Sequence, residues 1–529
     1  LVVFALLVAC QSGASLGTPC TSSSSCVSPL VCRLGRCRNE CAVNRDCPIG
    51  AQCFLDATGL GACELTSDHV CGSGQCDPGL SCLASSCVRS CTQRTDCPSD
   101  GTCTIASGAS IGVCSDLRTV DAGTSDASAV DASGNVDAGV CTPLHASHVC
   151  LGEGFACAVL SDTTVSCWGR ADNGFTGRAE PATMCDVAGG PIPCAHAPVG
   201  VLLEDQTTAL TGAIDVVCGA AHACALMSNG QVRCWGRNFA GMLGAPNDGV
   251  VGARTAVDSS GVAIPGVTAI GTGEDHTCAL TAMGPMCWGA NDYAQDGTNT
   301  MTQGEGPSVA TQLMSAGAIG ALAVMYTGTC IVDSSSTVRC LGENAHAQLG
   351  VPTSTVAQSG SLLPIGGLTV SATHPVVSGG QGFVCALDAS AHVQCWGWDY
   401  SGSLGRNATT ESTEPTPAPL YGTASTITFA SLFVGPNRLS NCAVTPGHDL
   451  WCWGANDEGQ LARDPASPDQ NAALVVNIPP ISEGACSDSD CCAITMGGEV
   501  WCWGDNTLAQ LGRGTATPFE WHPQPVCAQ

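Results

Sequence analysis

One phrase returns seven times after residue 141: a cysteine, a short apolar run, a polar turn, then a second cysteine, in six copies followed by Trp-Gly. In the second copy Ala223-Cys224-Ala225-Leu226 passes through Ser228-Asn229-Gly230 into Val232-Arg233-Cys234-Trp235-Gly236. Asn-Gly is a tight-turn signal, and apolar-polar alternation on both sides of it marks two antiparallel strands. The paired cysteines stand 10 residues apart in six copies and 9 in the third. Across such a hairpin they face each other, as a disulfide requires. The predicted bridges are Cys157–Cys167, Cys224–Cys234, Cys278–Cys287, Cys330–Cys340, Cys385–Cys395, Cys442–Cys452 and Cys492–Cys502. A lone hairpin cannot bury its apolar faces, so neighbouring copies must stack. Short strands with Gly-rich turns at this period predict an all-β fold, a seven-bladed β-propeller over residues 141–529. Stretches such as Pro417-Ala418-Pro419-Leu420 and Pro523-Gln524-Pro525-Val526 supply fourth strands. The last of these is placed to pair with the strand ahead of Cys157 and close the ring without a free edge.

Eight propeller cysteines stand outside the pattern: Cys141, Cys150, Cys185, Cys194, Cys218, Cys486, Cys491 and Cys527. Cys185–Cys194 is expected to close an inserted loop, and Cys527 to lock the ring by bridging to either Cys141 or Cys150. Ahead of the propeller, residues 20–114 hold a small duplicated disulfide-rich module, with cysteines at 20 to 63 and again at 71 to 114 in nearly the same spacing. Cys41-Ala-Val-Asn-Arg-Asp-Cys47-Pro48 returns as Cys91-Thr-Gln-Arg-Thr-Asp-Cys97-Pro98. Units this short bury little apolar surface and depend on bridges for stability. Residues 115–140, rich in Asp, Ala, Ser and Gly, read as a flexible acidic linker. Residues 1–10, an apolar run ending Leu7-Val8-Ala9-Cys10, read as a signal peptide with a lipobox and lipidation at Cys10.

The phrase Ile270-Gly-Thr-Gly-Glu-Asp-His276-Thr-Cys-Ala-Leu280, followed by Cys287-Trp288-Gly289-Ala-Asn291, resembles repeats of the regulator of chromosome condensation family. Cys452-Trp-Gly-Ala-Asn-Asp-Glu-Gly459-Gln460-Leu461 and Gln348-Leu349-Gly350 do so too. The resemblance covers residues 141–529 and implies the same seven-bladed fold. Leu341 in place of Trp and Ala462 in place of Gly are local departures. The resemblance also implies guanine-nucleotide exchange on a small nuclear GTPase, a role the composition disfavours.

That composition is 17 basic residues, all arginine, against 45 acidic ones, with net charge −28. A surface this acidic repels phosphate backbones, so no nucleic acid partner is expected. The absence of lysine removes Schiff-base and phosphate-loop lysine chemistry. Thirty-nine cysteines point to an oxidising compartment. With the lipobox they predict an exported bacterial protein, an outer-membrane or cell-surface lipoprotein or else a secreted one, touching a membrane only through its lipid. His222 and His276 share one repeat position and are expected to serve the repeat. No catalytic, cofactor or metal residues are assigned. Tyr293, Tyr326, Trp398, Tyr400 and Trp521 are less regular than the repeat tryptophans and form the candidate binding face, whereas Tyr421 is expected to pack in its strand. Insertions near 178–200, 245–262 and 405–416 are further candidates for recognition. The function expected is binding or adhesion: a monomeric, non-enzymatic protein meeting an extracellular or envelope protein or glycan. The alternative is an exported propeller enzyme such as a lyase or glycosidase.

Overall fold

The computed structural model describes residues 141–528 except 180–182, 188–189, 299–310, 313–318, 373, 407–411, 436–438 and 466–470, together with the backbone of ten short strands between Val31 and Asp116. The chain divides into units 1–140 and 141–529. In the first unit Val31–Arg33 pairs with Arg36–Arg38, and Gly61–Leu65 lies between Glu40–Cys41 and Ala51–Leu55. The same order recurs: Ser81–Leu83 pairs with Ser86–Val88, and Gly112–Asp116 lies between Ser90–Cys91 and Gly101–Thr104. The disulfides expected there, all but the first two residues of the 115–140 linker, and Cys10 fall outside the described residues.

The second unit is the seven-bladed propeller, its blades spanning 146–200, 213–255, 269–312, 319–364, 377–419, 431–474 and 481–525. Six blades have four antiparallel strands. The first gains a fifth from Met184–Cys185, in the loop that the Cys185–Cys194 disulfide closes. In every blade the second and third strands place two cysteines directly opposite each other, from Cys157↔Cys167 to Cys492↔Cys502. Each pair is a disulfide with Cα atoms 4.0–4.1 Å apart. The hairpin turns need a residue in the left-handed region, which Gly230 supplies at φ 77° in blade 2. Other turns substitute an Asx bond for glycine. In blade 4 the Asp333 carboxylate accepts from the N–H groups of Ser335 and Thr337, holding Ser336 at φ 61°.

Blades join through the repeat tryptophan. Trp396 is fully buried, and its Nε1–H donates to the Gln348 carbonyl of the preceding blade at 3.0 Å. Trp168, Trp235, Trp288, Trp453 and Trp503 donate likewise to Gln510, Phe175, Met242, Ser403 and Gln460. A buried carbonyl left without a donor costs about 1–3 kcal/mol, so the indole both fills the joint and satisfies its backbone. Leu341 lacks that N–H. There the orphaned carbonyl, that of Gln295, accepts instead from the Thr329 hydroxyl at 3.0 Å. His222 and His276, both fully buried, extend the same joints. The His222 ring bonds Thr277 at 2.8 Å, and Thr277 in turn donates to the Met242 carbonyl at 3.1 Å.

The ring closes at one seam. Thr142–Pro143 pairs with Cys527–Ala528, Leu144 N–H donates to the Val526 carbonyl at 2.8 Å, and Cys141 is bonded to Cys527. Of the stretch Pro523–Val526, Gln524 and Pro525 pair with Cys502 and Trp501 inside blade 7, and Val526 makes the bond to Leu144 that leads into the closing pair. The proline-rich stretches 412–419 and 517–525 are outer strands, where a missing N–H costs no interior ladder bond. Cys150 bridges to Cys218 between blades 1 and 2, and Cys486 to Cys491 within blade 7. Tyr421 does not pack in a strand; it follows the outer strand of blade 5 and is 54% exposed.

Candidate binding face and central channel

In each blade the turns from first to second strand and from third to fourth emerge on one face of the ring, and the turns from second to third on the other. The third-to-fourth turn is built by a buried polar residue. The side-chain oxygen of Asn344 accepts from Leu349 N–H at 2.9 Å, as Asn456 does for Leu461 and Asp399 for Leu404. Gln348 then accepts from His346 N–H at 2.8 Å, and Gln295 from Tyr293 N–H. These bonds fix the tip of the turn, and the residues at the tip are carried by a rigid frame.

All five aromatics expected to bind belong to this face. Tyr293 and Tyr400 stand on third-to-fourth turns, Tyr326 on a first-to-second turn, Trp398 at the end of a third strand and Trp521 in an outer strand. Trp398 and Tyr400 come together, ring centroids 4.7 Å apart, and His346 from blade 4 stacks on Trp398 at 4.2 Å with an 11° interplanar angle. The Tyr326 hydroxyl donates to Glu274 of the neighbouring blade. Burial and that carboxylate hold the Tyr326 phenol far above its ordinary value, and burial raises Glu274. Glu274 feels Asp275, Glu153 and Asp292, and Tyr326 feels Asp488, so this rim is acidic. Trp521 stands apart, stacked on His522 at 3.6 Å and packed over Gly459.

The inner strands of all seven blades line a central channel with a cavity of about 270 Å³. Asp215 and Glu483 line it and both meet His148. His148 Nδ1 lies 3.1 Å from Glu483 Oε2 and 3.8 Å from Asp215 Oδ1. By strand register they occupy one position of blades 1, 7 and 2, opposite Val159, Ile494 and Leu226, each just after a β-bulge. A bulge turns the following side chain out of the pleat, which aims these three at one another. Burial pushes the Asp215 carboxyl up to about 6, and the Glu483 hydrogen bond raises His148. The cluster thus links three blades through one histidine and two carboxylates. None of these residues was singled out from sequence. Aligning the seven copies would have shown the signal, since blades 3 and 4 carry Ala269 and Ala321 at the same position.

Two sulfur groupings come within metal-ligand reach among the described residues: Cys185, Cys194 and His196, and Cys442, Cys486 and Cys491. Every cysteine in them is in a disulfide and has no thiolate to offer a metal.

Seven antiparallel blades, with Trp-to-carbonyl bonds at six of the seven joints, define a seven-bladed β-propeller. Residues 213–241 match the family described as "Regulator of chromosome condensation (RCC1) repeat". The chain is 25% identical over 271 residues to the Ultraviolet-B receptor UVR8 of Arabidopsis thaliana, a match covering 49% of this chain and 57% of that one. It is 26% identical over 282 residues to the E3 ubiquitin-protein ligase HERC2 of Homo sapiens, covering 52% of this chain and 6% of the ligase. The chain thus spans little more than half of the first relative and a small part of the second. Among solved structures, human WBSCR16 superposes with a TM-score of 0.56 at 18% identity, over 69% of this chain and 94% of that one. Prp20p of Saccharomyces cerevisiae does so at 0.53 and 18%, over 72% and 87%.

These relatives correct four expectations. The relatives that the chain matches are eukaryotic proteins, among them a plant receptor, mammalian ubiquitin ligases and a mitochondrial RCC1-domain protein, and they contradict the exported bacterial lipoprotein form. With it go the outer-membrane or secreted location, the lipid tether at Cys10 as an attribute of the protein, and the extracellular or envelope protein or glycan as partner. The physical reason is that cysteine density and a short apolar run are compositional cues. Opposed cysteines follow from the register of the repeat, and they do not identify a lineage or an address.

Proposed function

We propose that the chain is a protein-recognition scaffold whose binding face is the one carrying the first-to-second and third-to-fourth turns, and that its partner presents basic side chains. The observation that carries this reading is the His346–Trp398–Tyr400 stack, partly exposed on turns whose backbone is fixed by buried Asn, Asp and Gln side chains. Aromatic faces attract guanidinium and ammonium groups, and the acidic rim of Glu153, Glu274, Asp275 and Asp488 adds long-range attraction for the same charge. Propellers of similar fold seat proteins: Prp20p has binding properties to Gsp1p and histones, and yeast RCC1 has been solved with Kap60 bound.

The test places a photo-crosslinking residue at position 400 and, separately, at position 229 on the opposite face of the full chain. A saturable protein adduct is expected at 400, displaced by untagged chain and lost on Trp398→Ala. Equal adducts at both positions, or adducts indifferent to Trp398→Ala, would sink the reading.

A further inference from the structure

A second concavity, about 370 Å³, lies between blades 1 and 2, lined by Arg178, Arg237, Arg254, Phe239, Asn173 and Asn247 among others. Among the described residues no Asp or Glu lines it. Three of the chain's 17 basic residues therefore face one cavity in a protein of net charge −28.

The three guanidinium groups are held differently. Arg254 is anchored, donating to the Pro246 carbonyl at 2.7 Å and forming a two-point pair with Asp248 at 2.5 and 3.0 Å. Arg237 lies over the Phe239 ring at 5.2 Å and makes no ion pair among the described residues; Phe239 is 46% exposed. Arg178 is the most telling. Its counterparts after the same turn, Arg406, Arg463 and Arg513, donate to the Cys395, Cys452 and Cys502 carbonyls and so tie the third strand of their blades to the fourth. In blade 1 the inserted loop follows this position, and among the described residues Arg178 makes no such bond to the Cys167 carbonyl; its Nε, like those of Arg406, Arg463 and Arg513, is buried without a partner. Arg178 thus lines the cavity without the strand-tying bond that its counterparts make.

With Arg254 paired to Asp248, Arg178 and Arg237 are the two guanidinium groups left to meet an anion in the cavity. Guanidinium forks bind phosphate oxygens two at a time, the Asn173 and Asn247 amides offer further donors, and Phe239 offers an apolar face to whatever carries the anion. We propose that this cavity binds a phosphate monoester through Arg178 and Arg237, with Phe239 packing against the esterified group. The surrounding negative field repels anions at a distance, so recognition acts at contact range.

The probes are phenyl phosphate, inorganic phosphate and benzoate, titrated into the full chain with disulfides intact and followed by calorimetry. Phenyl phosphate is expected to bind most tightly. It should exceed inorganic phosphate by about 5-fold through contact with Phe239, a preference that Phe239→Ala abolishes. Arg178→Gln and Arg237→Gln should each weaken it by about 10-fold or more, whereas Arg233→Gln, outside the cavity, should not. Binding should weaken as pH falls below about 6, where the ester becomes a monoanion. Benzoate binding as tightly as phenyl phosphate would overturn the dianion assignment. Equal losses in Arg233→Gln and Arg178→Gln would overturn the site. Should an arginine variant fail to fold, Phe239→Ala decides, because an unchanged phenyl-to-inorganic preference there refutes the geometry.

Discussion

Trp396→Leu should open a blade joint in two separable ways. It removes much of a fully buried indole, and it strands the Gln348 carbonyl that the indole N–H satisfies at 3.0 Å. Large-to-small changes at such sites cost about 2–5 kcal/mol, and the unpaired carbonyl accounts for about 1–3 of that. Blade 4 shows how to separate the two, because its joint has Leu341 and yet satisfies the equivalent carbonyl from Thr329, the residue before Cys330. The residue before Cys385 is Val384, fully buried. Val384→Thr in the Trp396→Leu background should therefore recover about 1–2 kcal/mol and leave the packing loss in place. The hydroxyl has room to work beside an intact indole as well, since in blade 3 the Met242 carbonyl accepts from both Thr277 and Trp288. Urea unfolding of the oxidised full chain, followed by far-UV circular dichroism, measures all four corners of the cycle. If the double variant is no more stable than Trp396→Leu, the hydrogen bond is not what the tryptophan contributes, and the account of the joints fails.

Three further outcomes follow from the same structure. His222 and His276 are buried and their pKa values are lowered by burial to about 3 and about 4, so the stability they allow is intact above pH 6.5 and is lost as pH falls toward those values. At pH 5 the loss should be about 2 kcal/mol per histidine, and the urea midpoint of a His222→Gln/His276→Gln variant should fall less between pH 7 and pH 5. Ala462 stands at φ 54°, where the equivalent turns have Gly405 and Gly512 at 62° and 63°; Ala462→Gly should gain about 1 kcal/mol in the same unfolding assay. Replacing Cys141 and Cys527 by serine removes a crosslink spanning 386 residues and should cost about 3–5 kcal/mol, with the seam strands 142–143 and 527–528 losing amide-exchange protection first.

The repeat determined the fold without help from tertiary contacts, because strand alternation, short polar turns and cysteine spacing are local properties that a seven-fold period multiplies. The register that sets Cys224 against Cys234 is fixed once the turn is fixed. The irregular aromatics were also legible, because a residue that breaks a repeat does not serve it; that His346 would stack on Trp398 was not, since the two lie 52 residues apart on different blades. Only the closed ring decided the rest. His148, Asp215 and Glu483 become neighbours because blade 7 returns beside blade 1, and bulges that no local motif announces aim them together. Cys527 meets Cys141 for the same reason, whereas Cys150 meets Cys218 because blade 2 stacks on blade 1. Arg178 looks in sequence like its counterparts in blades 5 to 7, yet among the described residues it lacks the bond they make to the third-strand carbonyl. Sequence spacing fixes what happens within one hairpin; contacts between blades depend on ring curvature and closure, which no single repeat contains.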